Sequence, residues 1–354
     1  MYSARTLSDL RDTGFDQIID VRSPAEFSED HVPGAINLPV LNNEERAEVG
    51  TIYKQIAPFE ARKIGASIVF RNTAQHIEET LSQHDGRWRP LVYCWRGGQR
   101  SAAFAWMLQQ IGWRADTIAG GYKSYRSLVA KMLYNEGLDL YLVRLGGYTG
   151  TAKTDILKVL TGMGVQVIDL EALACHRGSL LGGLDVPQPS QRSFESGLAA
   201  VIDRIDPSRP VVVEAESNSI GSIKLPPSFW QAMKAAPMLE IEAPLQARAA
   251  YLAKEYHTVL ADGPDLKAKL SLLRAYRGKE LVSRWHKLID ENDRVALCAS
   301  LAAEHYDPAY DKSASGAGGR IAARFNAPDL SVTARKELAE QIAKWLQTTY
   351  SSPL

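Results

Sequence analysis

The chain has 354 residues, of which 45% are hydrophobic and 23% charged, an ordinary globular composition that excludes a disordered or fibrous protein. Lys+Arg and Asp+Glu are both 41, and the resulting net charge of +0 excludes a protein that coats nucleic acid through bulk positive charge. No apolar run has the length of a signal peptide or a membrane span, and the 3 cysteines form no CxxC pair. We therefore expect a cytoplasmic protein with no membrane partner, built of about two domains.

Short apolar runs alternate with amphipathic helical patterns along the first 245 residues. The runs form two series, at 17–21, 90–94 and 116–122, and then at 140–147, 165–170, 210–217 and 238–243. This alternation predicts an α/β protein with doubly wound parallel sheets. We expect a first domain at 1–125, a connecting helix at 126–138, a second α/β domain at 139–245 and an all-helical region at 246–354.

The segment 92–106 places a cysteine at the start of a loop that contains glycine and arginine. A strand ends at Cys94 and a helix begins near Ser101. Backbone N–H groups of such a loop and the positive end of the helix bind anions, and they lower the pKa of a thiol at the base of the loop. We predict that Cys94 is a nucleophile; the alternative is a buried cysteine that ends a core strand. The residues expected to hold the anion are Arg96, Gly97, Gly98 and Arg100.

The first half resembles the rhodanese family in three segments that occur in the family's order: D-V-R at 20–22, H-V-P-G-A-I-N at 31–37 and the cysteine loop. The loop has five residues between Cys94 and Arg100, one more than in the commonest sulfurtransferases. Related phosphatases share the longer loop, so phosphate-ester chemistry stays open. A phosphate-bearing chalcogen donor fits a loop of this size. For Asp20 and Arg22, the residues favour a structural ion pair at the strand end.

The segment 142–157 resembles the Walker A pattern GxxxxGK[ST], placed between an apolar strand and a helix. Gly147 begins the motif and Gly150 lies inside it. Main-chain N–H groups would bind a di- or triphosphate, Lys153 would reach its terminal oxygens and Thr154 would ligate Mg²⁺. Ala152 stands where the pattern has glycine, and we expect its Cβ to crowd a phosphate oxygen. The sequence has no N-K-x-D motif to read guanine and no D-x-x-G switch after the loop, so the ligand need not be a nucleotide.

Two further segments of the second half carry candidate polar groups. Glu214 and Glu216 end a strand, where a carboxylate can orient a metal or water, although ordinary strand-end acids explain them equally well. In the segment 174–183, His176, Arg177 and Ser179 lie among glycines, which predicts a contact with phosphate or RNA. The alternative there is a surface loop.

The stretch 267–287 concentrates positive charge in a neutral chain. Seven Lys and Arg accompany the single acid Glu280, a net charge of +6. Helical periodicity puts three arginines within about 80° of one another: Arg274, Arg277 and Arg284. Tyr276 and Trp285 are aromatics of the kind that stack on bases. We predict contact with RNA phosphates, against the alternative of a solvated helix face.

Four strings and the order of the two halves resemble the tRNA 2-selenouridine synthase family: Y-C-W-R-G-G-Q-R-S-A-A, Y-T-G-T-A-K-T, L-A-C-H-R-G-S-L-L-G and E-A-E-S-N-S-I-G. The resemblance covers about residues 5–300. It implies a rhodanese-like doubly wound parallel sheet, then a P-loop α/β domain with a helical C-terminal region. It also implies a transferase that replaces the sulfur of wobble 2-thiouridine in tRNA with selenium from selenophosphate. The intermediate is S-geranyl-2-thiouridine, made with geranyl diphosphate.

The resemblance gives roles to both loops. Cys94 and its loop would hold selenophosphate, whereas diphosphate would bind to Gly147, Gly150, Lys153 and Thr154. The partners implied are tRNA with 2-thiouridine at the wobble position and selenophosphate synthetase as the selenium supplier. No tightly bound cofactor is expected, and Mg²⁺ is compatible with the P-loop. Whether Cys94 carries selenium as a selenyl-sulfide or only positions it stays open, as does the general acid or base.

Two functions of other classes remain as alternatives. A thiosulfate-type sulfurtransferase or phosphatase fused to a small-molecule kinase would turn over ATP, and would release thiocyanate or phosphate without tRNA. A non-catalytic module that senses anions and binds RNA would keep all function when Cys94 is replaced by alanine.

Overall fold

The computed structural model describes residues 1–178, 181–183, 186–316 and 320–350. Contacts divide the chain into two compact units, one of Met1–Gly137 with Pro189–Arg204 and one of Leu138–Gln188 with Ile205–Leu354. Both units contain a parallel sheet with helices, so the predicted α/β class is confirmed. None of the helices in these described ranges is long and apolar enough to cross a membrane.

The first unit is built on a four-stranded parallel sheet in the order β2-β1-β3-β4. Its strands are β1 (Gln17–Asp20), β2 (Ile36–Asn37), β3 (Pro90–Tyr93) and β4 (Asp116–Thr117). Its helices are α1 (Leu7–Arg11), α2 (Pro24–Glu29), α3 (Asn43–Gln55), α4 (Pro58–His76), α5 (Gln99–Ile111), α6 (Gly121–Ala130) and α9 (Gln191–Ile202). π-Helical turns at Ile77–Leu81 and Lys131–Asn135 extend α4 and α6. The β3 strand is buried along its whole length, which matches its unbroken apolar sequence.

The second unit has a five-stranded parallel sheet in the order β11-β10-β5-β7-β6. Its strands are β5 (Leu142–Gly146), β6 (Gln166–Ile168), β7 (Val211–Glu214), β10 (Met238–Glu242) and β11 (Ile321–Asn326), with an antiparallel hairpin of β8 (Ser219–Ile220) and β9 (Ile223–Lys224). Its first helices are α7 (Lys153–Gly162), α8 (Leu170–Ala174) and α10 (Pro227–Ala235). Central β5 leads into the Walker-like loop and α7, and adjacent β7 ends at Glu214.

The region after residue 245 is mainly helical, as predicted, but it also supplies one strand. Its helices are α11 (Leu245–Glu255), α12 (His257–Ala261), α13 (Gly263–Ser271), α14 (Arg274–Arg277), α15 (Lys279–Asp290), α16 (Arg294–Leu301), α17 (Asp307–Gly316) and α18 (Val332–Tyr350), with a π-helical turn at Ala302–Tyr306. Strand β11 pairs in parallel with β10 at the sheet edge. The expectation of an all-helical region was wrong here because β11 is an edge strand, in which a single residue, Phe325, is buried.

Helix α9 packs in the first unit, although the sequence predicted that 139–245 forms one domain. Its Glu195 is buried, pairs with Arg126 and accepts a hydrogen bond of 2.6 Å from the Tyr134 hydroxyl. Ser196 donates to Asp30 at 3.0 Å. The predicted connecting helix also begins earlier, at Gly121, and contacts α9. The chain therefore leaves the second unit after Gln188 and returns to it at Ile205.

We expect Glu195→Ala to loosen α9, because it leaves the Arg126 charge without its buried partner. A loss of about 3 kcal/mol is typical for removing one member of a buried pair. Native-state hydrogen exchange should show lower protection of the α9 amides. The matched control is Arg192→Ala, which removes the exposed pair of Arg192 with Glu29 and should cost about 0.5 kcal/mol or less. Equal effects of the two substitutions would contradict the importance of the buried pair.

Candidate functional site

The cysteine loop joins β3 to α5 and holds Cys94 at its base. The Cys94 side chain is buried, with the residue 4% exposed, and the Ser101 hydroxyl donates to its Sγ at 3.2 Å. Gly97 takes a positive φ of 64°, and a Cβ there would lie 2.7 Å from the Ile118 carbonyl oxygen. The sharp turn therefore requires glycine at this position.

The start of α6 supports the same loop from the other side. The Tyr122 and Lys123 N–H groups donate to the carbonyl oxygens of Cys94 and Trp95 at 2.9 and 3.0 Å. Gly121 lies so close that a Cβ would come within 2.2 Å of the Cys94 carbonyl oxygen. These bonds fix the carbonyl groups of the loop on one side, and its glycine-rich part at 97–98 precedes the N-terminus of α5.

The surroundings of Cys94 favour its thiolate. Burial raises the pKa of the thiol, but hydrogen bonds from the Ser101 side chain and backbone and the positive charge of Arg100 outweigh this effect. The pKa therefore lies below its ordinary value, as expected for a nucleophilic cysteine.

Arg100 lies beside the cysteine and forms an ion pair that the sequence did not indicate. It donates to Glu26 at 3.1 Å, and Glu26 also closes the capping box of Ser23 at the start of α2. Burial raises the pKa of Glu26, but Arg100 more than compensates, so this pKa is lowered. A guanidinium has five N–H groups, so this bond leaves Arg100 donors for an anion. Arg96 is exposed on the loop.

Asp20 and Arg22 form the structural ion pair that the sequence indicated. Both are buried, with 2.6 Å between Arg22 Nη2 and Asp20 Oδ2. The guanidinium also lies 3.9 Å from the centroid of the Tyr122 ring and donates to the Asp30 carbonyl oxygen at 2.6 Å. This pair anchors the start of α6, which in turn supports the cysteine loop.

The Walker-like loop adopts a phosphate-loop turn between β5 and α7. Gly147 and Gly150 have positive φ angles of 140° and 87°. Ala152 adopts the left-handed conformation, with φ at 59°, in which glycine is ordinarily found, a strain of about 1–2 kcal/mol. Lys153 Nζ donates to the Gly147 carbonyl oxygen at 2.9 Å, so its ammonium lies over the loop. Arg248 pairs with Asp307 and donates to the Thr149 carbonyl oxygen at 3.1 Å, which braces the loop from behind.

Three buried or half-buried carboxylates lie beside this loop. The Thr154 hydroxyl is 3.0 Å from Glu171 Oε2 and 3.3 Å from Glu214 Oε1. Burial, followed by repulsion from neighbouring acids, raises the pKa of both Glu171 and Glu214. Burial also raises the pKa of Glu216, against the charge of Lys153. In the described residues, no group of three or more His, Cys, Asp or Glu side chains is arranged to hold a metal ion.

A cavity of about 610 Å³ opens over the phosphate loop. Its lining contains the loop residues, the three glutamates and further charged and polar side chains. It also contains a set of aromatic and apolar side chains: Trp230, Met238, Tyr251, Leu252, Tyr256, Tyr306 and Tyr310. Leu252 lies so close to Gly150 that a Cβ on the glycine would be 2.8 Å from its Cδ1. An anionic group and an apolar group can therefore bind side by side in this cavity.

His176 and Arg177 line the same cavity, whereas Ser179 lies outside the described residues. The His176 Nδ1 accepts the Gly178 N–H at 3.0 Å, and burial lowers the pKa of the imidazole. Arg177 donates to the Glu255 carbonyl oxygen at 3.2 Å and lies 4.8 Å from the Tyr256 ring centroid. The structure thus brings this sequence segment to the phosphate loop, and its contact with phosphate or RNA stays a prediction.

The basic stretch 267–287 does not form the single helix face that the sequence predicted. Gly278, with φ at 85°, separates α14 from α15, so Arg284 lies on a different helix from Arg274 and Arg277. Arg277 donates to the His305 carbonyl oxygen at 2.8 Å, and Arg284 pairs with Glu304.

The two aromatics of this stretch also differ. Trp285 is 0% exposed and donates to the Ser300 hydroxyl at 2.8 Å, so the prediction that Trp285 stacks on bases was wrong. Tyr276 is 82% exposed and remains a candidate for such stacking.

Comparison with known proteins matches both units. A family model described as a rhodanese-like domain matches residues 3–128, and one described as the tRNA 2-selenouridine synthase AAA domain matches residues 140–277. A tRNA 2-selenouridine synthase of Hydrogenovibrio crunogenus is 32% identical over 83% of this chain and 88% of its own length. This chain belongs to the tRNA 2-selenouridine synthase family.

Other members of the tRNA 2-selenouridine synthase family align with a smaller part of this chain and of their own length. The Nitrosomonas europaea protein is 38% identical over 68% of this chain and 63% of its own length, so this chain spans slightly less than two thirds of that relative. The Bdellovibrio bacteriovorus protein is 37% identical over 71% of this chain and 67% of its own length.

Several residues of the two candidate sites were missed by sequence reasoning. Ser101 and Gly121 adjoin the cysteine loop, and Glu171 adjoins the phosphate loop. Glu171 had a signal in the sequence, because it lies three residues after the parallel strand β6 ends at Ile168, in the first turn of α8, and ligand-binding groups collect at the carboxyl ends of such strands. Gly121 had none, because its close contact with Cys94 joins residues far apart in the chain.

We expect Ser101→Ala to raise the pKa of Cys94, since the hydroxyl that stabilises the thiolate is removed. The rate of Cys94 alkylation should then be lower at neutral pH and recover at high pH. Measurement in a Cys175→Ser background removes the half-buried Cys175 from the signal. Ser127→Ala is the control, because the Ser127 hydroxyl donates to the backbone carbonyl of Lys123 within α6 and not to Cys94. An unchanged alkylation profile in Ser101→Ala would refute the assigned role of the hydroxyl.

Proposed function

We propose that this protein is a tRNA-modifying transferase that converts wobble 2-thiouridine to 2-selenouridine. In this proposal the P-loop unit attaches a geranyl group from geranyl diphosphate to the sulfur, and the rhodanese unit supplies selenium from selenophosphate. The reaction takes place in the cytoplasm, with selenophosphate synthetase as the selenium supplier. Family membership and the presence of two anion-binding loops of different chemistry support it.

The cavity over the phosphate loop is the observation that carries the geranyl step. It offers a diphosphate the loop N–H groups and Lys153, and it offers an apolar chain the side chains of Tyr251, Leu252 and Tyr306. Leu252 packs directly on Gly150, so a chain attached to a loop-bound diphosphate would meet an apolar surface at once. A prenyl diphosphate has both of these properties in one molecule.

The alkylation follows from this placement. The thiouridine sulfur attacks the first carbon of the geranyl chain, the sulfur–carbon bond forms, and the carbon–oxygen bond to diphosphate breaks. Lys153 and the loop N–H groups stabilise the negative charge that develops on the leaving diphosphate. The N3 proton of the base passes to water. The sulfur then leaves as geranyl thiol when selenium attacks C2.

The residues around Thr154 fit a Mg²⁺ ion. Its hydroxyl and the carboxylates of Glu171 and Glu214 are hard oxygen donors that meet at the loop, and the remaining ligands would be diphosphate oxygens and water. When bound, Mg²⁺ would neutralise charge on the diphosphate. It would also offset the effect of burial and, after it, of repulsion between acids, which together raise the pKa values of Glu171 and Glu214.

We propose that Cys94 attacks the phosphorus of selenophosphate rather than its selenium. Selenium in selenophosphate is at the oxidation level of selenide, so forming a selenyl-sulfide would push two electrons onto phosphorus and release phosphite. Attack on phosphorus needs no redox change: the sulfur–phosphorus bond forms, the phosphorus–selenium bond breaks, and selenide leaves with the electron pair. Water then cleaves the phosphocysteine to phosphate and free Cys94. The loop length, Ser101 and Arg100 suit this phosphoryl chemistry.

Contact with tRNA is proposed for exposed groups of the second unit. Tyr276, on α14 beside Arg274, provides an aromatic face with positive charge nearby, the combination that binds unpaired bases. His176 and Arg177 in the cavity are placed to contact the modified nucleotide or its phosphate. Arg277 bonds to His305 and Arg284 pairs with Glu304, so we propose that these two arginines contribute less to tRNA binding.

Two variants should separate the two half-reactions. With 2-thiouridine tRNA, geranyl diphosphate and selenophosphate, the wild-type protein should yield 2-selenouridine, measured by mass spectrometry of digested nucleosides. Lys153→Ala should slow geranylation about 100-fold or more, because it removes a charge that stabilises the leaving group. Cys94→Ser should still geranylate but should form no selenouridine.

The control is Lys344→Ala, because Lys344 is exposed on α18 and does not line the cavity. Lys158 is unsuitable because it lines the cavity. Lys344→Ala should retain both reactions. An unmodified nucleoside with the wild-type protein would overturn the proposal, and ATP turnover without tRNA would favour a kinase fusion instead.

Phosphorus attack predicts a different product from selenium transfer. Phosphorus NMR of a reaction with selenophosphate should show phosphate and no phosphite, at a rate above that of Cys94→Ser. Mass spectrometry of trapped Cys94 should show an adduct without the broad isotope pattern of selenium. Ser101→Ala should change the amount of this adduct. Phosphite, or a selenium isotope pattern on Cys94, would establish the selenyl-sulfide route.

A further inference from the structure

One buried cation in the P-loop cavity has no role in the steps above. Arg144 lies on β5, two residues before the strand ends at Gly146, and is 6% exposed. Its Nε and Nη2 donate to the Ala236 carbonyl oxygen at 3.2 and 3.1 Å. Among the residues that the structure describes, no carboxylate forms an ion pair with it.

This environment is costly for a charge. A carbonyl oxygen accepts hydrogen bonds but does not neutralise a guanidinium, and burial accordingly lowers the pKa of Arg144. Two N–H groups of Arg144 cap the C-terminus of α10 at Ala236. This is a structural role that does not depend on a ligand in the cavity. Yet Arg144 also lines the cavity, where a ligand can bring an acceptor that carries negative charge.

Three uncharged side chains line the same cavity as Arg144: Trp230, Met238 and Tyr310. Met238 is the neighbour of Arg144 on the adjacent strand β10, and a Cβ on Gly146 would lie 2.6 Å from Met238 Sδ. The Tyr310 hydroxyl accepts the Gly147 N–H at 3.1 Å, which connects this wall to the start of the phosphate loop. A planar ring bound here would therefore lie next to the bound diphosphate.

Two other occupants fit this wall less well. A diphosphate would lose its hydration against Trp230 and Met238, and the loop N–H groups and Lys153 already provide its site. A hydrocarbon chain would leave the cavity-facing side of the Arg144 guanidinium without an acceptor, and the wall at Leu252 offers it an apolar surface.

Building on the proposed function, we propose that the wall of Arg144, Trp230, Met238 and Tyr310 binds the 2-thiouracil ring. Arg144 donates to O4 of the ring and thereby selects uracil over cytosine, whose amino group at that position would place donor against donor. The ring loses its N3 proton to water as the sulfur forms its bond to geranyl and the bond to diphosphate breaks, so the S-geranyl product is neutral. Positive charge beside O4 stabilises the negative charge that the ring carries between the loss of this proton and the completion of the sulfur–carbon bond.

The test compares two RNA hairpins that differ in one base, 2-thiouridine in one and 2-thiocytidine in the other. The readout is kcat/KM for geranylation of each. The wild-type protein should prefer 2-thiouridine, and Arg144→Gln should reduce that preference about 10- to 100-fold, mainly by slowing the 2-thiouridine reaction. Arg144→Lys, which keeps the charge but loses the planar fork, should give an intermediate ratio. Arg209→Gln is the matched control, because Arg209 also donates to a backbone carbonyl, at Gly164, on the surface of the same unit.

The outcomes distinguish this inference from the function on which it rests. If the wild-type protein geranylates neither hairpin, the proposed function fails. If it geranylates both without preference, or if Arg144→Gln slows both equally as a folding defect would, the inference is overturned. A raised KM for geranyl diphosphate with an unchanged base preference would assign Arg144 to the diphosphate and would overturn it as well.

Discussion

Both candidate sites depend on one constraint: a tight turn between a parallel strand and the next helix directs backbone N–H groups toward a common point, where they can bind an anion. In the first unit this turn needs glycine at 97, and in the second it needs glycines at 147 and 150. Residues outside each loop hold it in shape. Gly121 and the first N–H groups of α6 brace the cysteine loop, and Arg248 with Asp307 braces the phosphate loop. The positions of the two candidate reactive side chains, Cys94 and Lys153, follow from the backbone of each loop.

The two units differ in how their buried charged side chains are compensated. In the first, two buried carboxylates pair with arginines, Asp20 with Arg22 and Glu195 with Arg126. A third, Asp30, accepts hydrogen bonds from the Tyr122 and Ser196 hydroxyls, and all three stabilise the fold. In the second, like charges collect at Glu171, Glu214 and Glu216, and burial raises the pKa of each. Such a group costs stability unless a cation joins it. The charge arrangement of the second unit is therefore that of a binding site, and that of the first unit is mostly that of a scaffold.

Sequence patterns predicted the sheets well because buried parallel strands are continuous apolar runs. The predicted run at 210–217 contains β7, and that at 140–147 contains β5. Strand β11 was missed because one buried residue in an edge strand leaves no such run. The placement of α9 in the first unit was also missed, since the hydrogen bond of Ser196 to Asp30 joins residues 166 positions apart, and local pattern has no access to such a contact.

The candidate reactive groups were easier to identify from the sequence than the residues that surround them in the structure. Cys94, Lys153 and Thr154 stand in spacings that the chemistry of anion binding requires, so a motif exposes them. Ser101 and Glu171 were missed because their importance depends on how close they lie to Cys94 and Thr154. These distances are determined by the folded structure. The basic stretch shows the converse error, since a count of charges does not show that Arg277 and Arg284 are held by His305 and Glu304.

Arg144 is a further residue whose surroundings are known only from the structure. In the sequence it is a single polar residue inside an apolar run, where it could be read as a defect of the strand. In the structure it is a buried cation beside the phosphate loop, with a backbone carbonyl as its acceptor. Retaining such a charge in a central strand is costly for the fold alone, because an apolar residue would pack there without desolvation. Capping of α10 at Ala236 accounts for part of this arrangement, and the base contact that we propose adds a functional reason for keeping the charge.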